Sequence, residues 1–261
     1  MWRRGGDYVD LAVQSARSLR ASNCYVVVDL FCDRPGASGL DVFDRVHPVP
    51  RKHARAKLEC LALSRFERTL FLDADTLVVA DLGDLWAIAD RFDLAMAHDV
   101  RRASALVQEG YKVKTPYAFP QLNSGVMFYR NTHQTRSFFG EWAARFHESG
   151  VARDQVILKD LLWQSDLRFY VLPPEFNLRR VTMLDAWEPL DARVKIIHSH
   201  RLLQHLRGGG QRISNVETLV RAERAALAAE WKAAGLADPQ LDQKLDWFID
   251  HWRGAGGPRK G

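Results

Sequence analysis

Cysteine is scarce in this sequence, which has only 3 such residues among 261. Cys24, Cys32 and Cys60 are odd in number, and none of them stands in a CxxC pair. Small secreted domains use many paired cysteines and cysteine-ligated zinc sites use closely spaced ones, so we expect neither arrangement. A cysteine content of this kind favours the cytoplasm as the location of the protein.

Long apolar runs are absent as well. The longest stretch without a charged side chain is Thr115–Tyr129, and it contains two prolines and Asn123. A membrane-spanning helix needs about 20 predominantly apolar residues, so no span is predicted. The basic start Met1–Arg4 is followed by Gly5–Asp7, where a signal peptide would have its apolar core. We therefore expect no secretory signal.

A concentrated basic region is also missing, although the net charge is +5. Residues 1–60 and 200–261 each carry 10 basic and 7 acidic side chains, whereas the middle of the chain carries 17 and 18. A nucleic-acid-binding face would gather its basic residues in one region, usually on a recognisable motif. No such motif occurs, and we expect no nucleic-acid partner.

The spacing of apolar residues predicts alternating helices and strands. The predicted helices are Asp7–Ala21, Arg51–Arg65, Leu82–Ala89, Thr135–Glu148, Asp154–Leu162, Asn215–Ala234 and Pro239–Trp252. The predicted strands are Tyr25–Phe31, Val46–Val49, Thr69–Leu72, Leu94–Ala97, Gly125–Tyr129, Phe169–Leu172 and Val194–Ile197. This alternation is typical of an α/β fold with a mainly parallel central sheet and flanking helices. Gly208–Gly210 interrupts the pattern, so 1–207 is predicted as the main domain and 208–261 as a C-terminal helical extension with a flexible tail.

Two carboxylates stand at the end of one predicted strand. Thr69–Leu72 runs directly into Asp73-Ala74-Asp75, and open α/β sheets bind ligands at the carboxyl ends of their strands. Carboxylate oxygens suit Mg²⁺ or Mn²⁺, commonly together with phosphate groups. A solvated turn with capping aspartates would also explain so short a motif. The apolar residues on both sides favour the functional interpretation, because acids are costly to bury unless they are used.

Four blocks of the sequence together resemble the nucleotide-sugar glycosyltransferases of the A-type fold. The resemblance is to glycosyltransferase family 8, which includes glycogenin and bacterial lipopolysaccharide galactosyltransferases. It extends over about Asp7 to His200 and leaves the C-terminal helices outside. The blocks are Ala54–Leu58 with Phe71–Asp75, Leu122–Val126, the pair Asp154-Gln155, and His198 at the end of the last predicted strand.

This resemblance implies a site for a divalent ion and a nucleotide-diphosphate sugar. It makes Asp73, Asp75 and His198 the ligands of Mn²⁺ or Mg²⁺, with His200 as the alternative to His198. It makes Asp154 and Gln155 the catalytic pair that acts on the sugar. The donor-binding residues that it implies are Arg55, Lys57, Asp73, Ala74, Asp75, Asn123, Ser124 and Gly125.

Ordinary structural roles would explain several of these residues by themselves. The basic segment Arg51–Lys57 could be a solvated helix face, Asp154 could be a helix N-cap, and His198 could be a core histidine. Asn177 lies in a segment that is similar to one of the family, and we interpret it as loop structure first and as an acceptor contact second.

The sequence departs from the family where the diphosphate pocket closes. The family commonly has a His…Gly…Lys-Pro-Trp segment there, whereas His198 is followed by Ser199-His200-Arg201-Leu202. Arg201, Arg207 or Arg212 could take the place of the missing lysine.

The resemblance implies a metal-dependent glycosyltransferase with a nucleotide diphosphate donor, most simply a UDP-sugar. Its acceptor would be a glycan, a lipid-linked glycan or a protein, and the anomeric configuration would be retained. The alternative is a nucleotide-sugar- or glycan-binding protein without turnover, which the missing Lys-Pro-Trp supports. A nucleotidyltransferase of related fold is disfavoured, because Gly208–Gly210 is not a phosphate loop after an early strand.

Both ends of the sequence carry further expectations. Only Met1–Gly6 precede the first predicted helix, so the first strand of the nucleotide-binding half is expected to be short or missing. Either the true start lies upstream, or the base pocket is open on one side. Near the other end, a stripe at helical spacing is expected to dock on the catalytic domain, with peripheral contact at the inner membrane face as the alternative. The stripe consists of Leu241, Leu245, Phe248, Ile249 and Trp252.

Overall fold

The computed structural model describes residues 6–51, 53, 55–100, 102, 104–186, 188, 190–208, 210–233 and 235. The helices are α1 (Gly6–Ser22), α2 (Lys57–Leu61), α3 (Ala105–Gln108), α4 (His133–Ser149), α5 (Asp154–Gln164) and α6 (Val216–Ala233). The strands are β1 (Asp29–Cys32), β2 (Arg45–Pro48), β3 (Arg68–Leu72), β4 (Thr76–Val78), β5 (Leu94–His98), β6 (Leu122–Arg130), β7 (Phe169–Leu172) and β8 (Ile196–His198). Short 3₁₀ helices lie at Leu40–Val42, Gly83–Asp90, Pro174–Phe176, Val181–Ala186 and His200–Arg207.

The central sheet has four strands in the order β3, β6, β5 and β7. β5 and β7 run parallel, but β6 is antiparallel to both β3 and β5. Two smaller pairs accompany the sheet, β1 with β2 in parallel and β4 with β8 in antiparallel orientation. The predicted α/β class is confirmed, whereas the expectation of a mainly parallel sheet is corrected to a mixed one.

The connection between β5 and β6 explains the mixed strand directions. A parallel return to the same sheet needs a crossover, usually a helix long enough to cover a sheet face. Within its described residues, the segment 99–121 contains only the short helix α3. The chain therefore re-enters the sheet in the opposite direction. Apolar spacing identifies β6 as a strand, but it carries no information about that direction.

Two predicted elements are much shorter in the structure. The helix predicted at Arg51–Arg65 is helical only over Lys57–Leu61, and the strand predicted at Tyr25–Phe31 is paired only over Asp29–Cys32. Arg55, in the turn just ahead of α2, and Lys57, the first residue of α2, both contact the buried Asp154 in the site described below. Long-range ion pairing has overridden a local helical pattern in this segment.

β6 is the central strand of the molecule, and its first eight residues are buried. Met127 and Tyr129 pack with Trp142 on the side covered by α4 and α5, whereas Val126 and Phe128 pack into a second cluster on the other side. Alternate side chains of a strand point to opposite faces. Burial on both faces explains why β6 is almost continuously apolar.

α6 packs against the main body of the protein. Its Leu219 is fully buried in a cluster with Leu11 of α1, Leu178 and Leu202. The second C-terminal helix predicted at Pro239–Trp252, with its apolar stripe, lies outside the described residues, and the domain division at 207/208 stays a prediction. Among the described helices, none is long and apolar enough to cross a membrane.

Candidate active site

Asp73 and Asp75 lie in the turn that joins β3 to β4. The turn is held by Thr76, whose Oγ1 donates a hydrogen bond to the carbonyl of Asp73 at 2.8 Å. The pairing of β4 with β8 places Thr76 opposite His198, and the amide of Ser199 donates to the carbonyl of Asp75 at 3.0 Å. Backbone pairing alone therefore brings the end of β8 to the aspartate turn.

The side chains of Asp73, Asp75 and His198 converge at this turn. One candidate ligand atom from each lies within 4.8 Å of the other two, and His198 Nε2 is 3.5 Å from Asp75 Oδ1. Burial by itself would raise the pKa of Asp75, but the charges of His198 and Arg179 and a hydrogen bond with His198 hold it below its ordinary value. Two carboxylates and one imidazole make a donor set that fits a divalent ion such as Mn²⁺.

A chain of hydrogen bonds sets the orientation of the His198 ring. The carboxylate of Asp99 can only accept hydrogen bonds. Asn123 therefore directs its NH₂ group at Asp99, and Nδ2 donates to Asp99 Oδ2 at 3.2 Å. Asn123 Oδ1 then accepts from Asn177 Nδ2 at 3.1 Å. Asn177 Oδ1 is left to accept from His198 Nδ1 at 3.0 Å. With Nδ1 donating to Asn177, Nε2 is the ring nitrogen that faces Asp75 and remains for a metal ion, as metal-binding histidines require.

Gly125 lies directly against the ring of His198. A Cβ atom at this position would be 1.9 Å from His198 Cε1 and 2.6 Å from Nδ1, far inside van der Waals contact. The absence of a side chain thus makes room for the histidine, a reason for the glycine that the sequence did not indicate. Contact between Gly125 and a donor stays a prediction.

Asp154 is the first residue of α5 and is only 2% exposed. Its Oδ1 is 3.3 Å from Arg55 Nε, its Oδ2 is 3.7 Å from Lys57 Nζ, and Ser124 Oγ donates to Oδ2 at 3.1 Å. Burial would raise the pKa of Asp154, but the charges of Lys57 and Arg55 keep it below the ordinary value. Asp154 is therefore an ionised carboxylate between two cations.

Lys57 connects this carboxylate to the aspartate turn. Its Nζ is 3.3 Å from Asp73 Oδ2 and donates to the carbonyl of Ser124 at 2.9 Å and to Ser124 Oγ at 3.0 Å. The candidate metal ligands and the candidate catalytic residues thus form one continuous polar site. Ala74 packs against the core cluster that contains Leu11 of α1, and its contact with a donor stays a prediction.

Asp99 belongs to the same site, and the sequence analysis missed it. Gln155 Nε2 donates to Asp99 Oδ2 at 3.1 Å and to the carbonyl of Leu122 at 3.0 Å. Asp99 follows immediately after the apolar strand β5. The signal that identified Asp73, a carboxylate at the end of an apolar strand, was therefore present here too.

Arg179 is the arginine that points toward the site, rather than any of the three suggested by the sequence. Its Nε is buried without a hydrogen-bond partner and lies 4.0 Å from Asp99 Oδ1. Its Nη1 donates a hydrogen bond to the carbonyl of His198 at 3.4 Å. Arg201 is instead 3.4 Å from Glu223, and Arg212 is bonded to Gln14 and Asp10 on α1.

The remaining two alternatives from the sequence are exposed. Arg207 lies at the end of the 3₁₀ helix that follows β8, and His200 is exposed at its start. His200 is not part of the cluster that gathers Asp73, Asp75 and His198. Its role as a metal ligand is therefore not favoured by its position.

Comparison with known proteins identifies the family to which the chain belongs. A family model described as nucleotide-diphospho-sugar transferase matches residues 65–200, just over half of the sequence. The chain belongs to this family. The predicted family resemblance is thereby confirmed. The matched segment includes the aspartate turn, the Asp154-Gln155 pair and His198, while Arg55 and Lys57 precede it.

Individual relatives agree with this assignment. Human glycogenin-1 is 31% identical over 148 residues, which are 54% of this chain and 36% of glycogenin-1. The chain therefore spans only about a third of the length of that relative. The solved structure of the glycosyltransferase GlyE from Streptococcus pneumoniae superposes with a TM-score of 0.55 at 16% identity, covering 90% of this chain and 63% of GlyE.

A second solved structure has the same fold. The galactosyltransferase LgtC, in complex with donor and acceptor sugar analogues, superposes with a TM-score of 0.51 at 18% identity. The superposition covers 74% of this chain and 84% of LgtC. Similarity at this level of identity concerns the fold, and it confirms the predicted A-type architecture.

Proposed function

We propose that this transferase moves a sugar from a UDP-sugar to a hydroxyl group of a glycan, lipid-linked glycan or protein, with a divalent ion and with retention of configuration. One observation carries the proposal. The cluster of Asp73, Asp75 and His198 adjoins the ionised Asp154 through Lys57, so that three candidate metal ligands and a buried carboxylate form one polar site.

The residues of the aspartate turn fit a divalent ion. His198 directs Nε2 toward the ion site because its Nδ1–H is donated to Asn177. Asp73, Asp75 and His198 would hold Mn²⁺ or Mg²⁺, which when bound would neutralise negative charge on the donor diphosphate. The side chains of Arg55 and Lys57 lie beside this site and would add positive charge near the same diphosphate.

Arg179 is the cation that we assign to the diphosphate in place of the lysine of the missing Lys-Pro-Trp segment. Its Nε has no hydrogen-bond partner, although burying such a donor is costly. A phosphate oxygen would satisfy that donor, and a guanidinium group can hold phosphate through two parallel hydrogen bonds. The departure from the family sequence is thus compensated from another segment of the chain.

Asp154 and Gln155 act on the sugar in this proposal. Both hydrogens of the Gln155 NH₂ group are donated, to Asp99 and to Leu122, which leaves Oε1 as the acceptor for a substrate hydroxyl or for developing positive charge. Asp154 contributes a fixed negative charge near the anomeric centre. Preorganised charges of this kind stabilise an oxocarbenium-like transition state without further rearrangement.

The function is tested by measuring nucleotide release from a panel of UDP- and GDP-sugars with Mn²⁺ or with chelator. Wild-type protein is expected to release UDP only with the ion. Asp75→Ala should abolish metal-dependent donor binding. Gln155→Ala should reduce turnover while UDP affinity stays near the wild-type value, because Gln155 faces the sugar and not the nucleotide.

Three results would contradict the proposal. Unchanged Mn²⁺ binding by Asp75→Ala would remove the assigned ligand set, and a large loss of UDP affinity in Gln155→Ala would remove the assignment to the sugar. Donor binding without any release, across the panel, would favour the non-catalytic binding protein instead. An Asn215→Ala variant is altered only at the exposed start of α6. It controls for activity that is lost during preparation of a variant protein.

A further inference from the structure

A second cluster of metal-binding side chains lies apart from the aspartate turn. It consists of His53 ahead of α2, Glu59 within α2 and His147 near the end of α4. His53 Nε2 is 2.8 Å from Glu59 Oε2, and His147 Nε2 is 2.5 Å from Glu59 Oε1. One ligand atom from each residue lies within 4.8 Å of the other two. Two imidazoles thus contact separate oxygens of the same carboxylate.

The chemistry of these three groups is that of a zinc-class site. Two histidines and one glutamate form a recurrent three-residue ligand set for Zn²⁺, in which a fourth position remains for water or another ligand. The side chains are partly exposed, at 21% for His53, 18% for Glu59 and 30% for His147, so that an ion could reach them from solvent. Burial would raise the pKa of Glu59, but hydrogen bonds with His147 and His53 hold it below the usual value. The carboxylate is therefore already ionised, as a ligand must be.

We propose that His53, Glu59 and His147 bind a divalent transition metal of the zinc class, at a site separate from the one that serves the donor. The ion would join the turn ahead of α2 to the end of α4, two segments that are far apart in the sequence. The required movement is small, because the three ligand atoms already lie within 4.8 Å of one another.

Binding at this site is coupled to Arg55. The amide of Arg55 donates to His53 Nδ1 at 3.2 Å, so the ring proton of the metal-free protein is on Nε2. A metal on Nε2 needs that lone pair, and the proton must then move to Nδ1, with no net release of a proton. Protonated Nδ1 can no longer accept from the Arg55 amide. Metal binding therefore breaks the hydrogen bond of the Arg55 amide. The side chain of the same residue contacts Asp154, with Nε 3.3 Å from Oδ1.

The site is tested with Co²⁺, whose visible absorption reports tetrahedral coordination, on tag-free protein carrying Asp75→Ala to weaken the first site. We expect one Co²⁺ site that Zn²⁺ displaces. His147→Ala should weaken Co²⁺ affinity by at least about 100-fold, since even loss of a residue behind a metal ligand costs about 10–100-fold. Glu59→Gln, which keeps the shape and loses the charge, should also abolish tight binding. His133→Ala, at the exposed start of the same helix, should bind normally.

Hydrogen exchange supplies the second measurement. Zn²⁺ should speed exchange of the Arg55 amide in the Asp75→Ala protein and should have no such effect once His147 is also replaced. Absence of a Co²⁺ site, or equal Co²⁺ affinity in the His147→Ala, Glu59→Gln and His133→Ala proteins, would overturn the proposal and leave an ion-pair cluster. Far-ultraviolet circular dichroism establishes whether each variant is folded. If His147→Ala does not fold, the Co²⁺ affinity of Glu59→Gln tests the site instead.

Discussion

Asn177 accepts a hydrogen bond from His198 Nδ1 at 3.0 Å and thereby fixes which nitrogen of the ring is free. Asn177 is itself oriented by Asn123, which donates to Asp99. The metal-facing state of His198 is thus determined by a buried chain of amide groups that ends at a carboxylate.

We predict that Asn177→Ala weakens Mn²⁺ binding without removing any proposed ligand. Loss of a residue that orients a metal-binding histidine typically reduces affinity by about 10–100-fold, and calorimetric Mn²⁺ titration measures the change. Asn215→Ala, an exposed helix-capping residue, should keep the wild-type affinity. Equal Mn²⁺ affinity in the two variants would show that His198 does not need Asn177, and would weaken its assignment as a ligand.

A matched pair of glycine substitutions tests the packing of Gly125 against His198. A methyl group at Gly125 would overlap the ring, with its Cβ 1.9 Å from Cε1. Gly125→Ala should therefore lower the free energy of unfolding by about 1–3 kcal/mol, the usual cost of overpacking, and should impair Mn²⁺ binding. Urea unfolding and Mn²⁺ titration measure the two effects.

Gly140→Ala is the control for that substitution. Gly140 lies inside α4 with nothing within 4 Å of a built Cβ. Alanine should stabilise the protein there by about 0.5–1 kcal/mol, because glycine costs about that much inside a helix. Similar effects of the two substitutions would mean that the ring of His198 does not occupy the space beside Gly125.

The residue types at the strand ends could be predicted from the sequence, because each follows an apolar run. Asp73 and Asp75 are indicated in this way and His198 is implied by the family resemblance, and the structure brings the three together. Asp99 gives the same signal but was overlooked. Hydrophobic spacing also indicates where β6 lies, although strand direction depends on tertiary connections that the spacing does not encode.

Contacts between distant segments could not be predicted. Arg179 lies in a segment of mixed character, and only folding aligns its guanidinium with Asp99 and His198. The short α2 is similar, since the turn ahead of it depends on Asp154, almost 100 residues later. Side chains that are set by long-range ion pairs leave no periodic trace in the local sequence.

Lys57 is predicted to be the main compensation for the buried charge of Asp154. Lys57→Met should lower the free energy of unfolding at pH 7 toward the lower end of about 3–5 kcal/mol, since Arg55 remains to offset part of the charge. The same substitution in an Asp154→Asn background should cost much less, and this double-mutant cycle separates the ion pair from lost packing. An equal cost in both backgrounds would exclude the pairing as the cause.

The pH dependence of Lys57→Met has a defined sign. The pKa of Asp154 is depressed in the native wild type, so its contribution to stability is present above the unfolded pKa and is lost as the pH falls through the native value. Without Lys57, burial raises that pKa, and protonation relieves the buried charge. The stability difference between wild type and variant should therefore shrink from pH 7 toward pH 4 in urea titrations with chelator. A difference that stays constant or grows would contradict the assignment.

Arg179 is predicted to contribute more to diphosphate affinity than the arginines that follow β8. Arg179→Ala should weaken UDP binding in the presence of Mn²⁺ by about tenfold or more, whereas binding of uridine should change little. Arg179→Lys should recover only part of the loss, because an ammonium group lacks the planar fork. Arg212→Ala removes a side chain that is tied to α1 and should bind UDP normally. A loss in Arg212→Ala and none in Arg179→Ala would reverse the assignment.

Among the described residues, a cavity of about 790 Å³ lies between the two-stranded β1–β2 pair and the central sheet. β1 and β3 are both edge strands, and both line the cavity. The amide of Asp73 donates a hydrogen bond to the carbonyl of Gly125, and the amide of Asn131 donates to the carbonyl of Glu67. The odd-numbered residues along β3 therefore direct their backbone N–H and C=O groups toward β6. By alternation, the groups of Leu70 and Leu72 face the cavity.

The lining of this cavity suits one extended strand. Five residues of strand span about 17 Å at about 3.3 Å each. Apolar side chains of Leu19, Val28 and Leu70 line the cavity, and one face of α1 covers it. A strand that leads into α1 would complete a strand–helix–strand unit with β1 in the usual right-handed arrangement. The cavity also reaches Lys57 and Asp73, so its filling would add a wall to the nucleotide side of the site.

We therefore predict that an apolar β-strand sequence of five or six residues followed by Gly-Gly, fused ahead of Asp7 in place of residues 1–6, stabilises the protein and improves UDP affinity. A gain of about 1 kcal/mol corresponds to a rise of about 2–4 °C in Tm for a chain of this size, which calorimetry resolves. Without the added strand, UDP and GDP should bind within about tenfold of each other, or about 1.4 kcal/mol, because the described residues leave the cavity beside the site unfilled. An extension of equal length made of glycine and serine should change neither property. Strong selectivity for UDP in the 261-residue chain, or equal effects of the apolar and the glycine-serine extensions, would show that the cavity does not accept a strand.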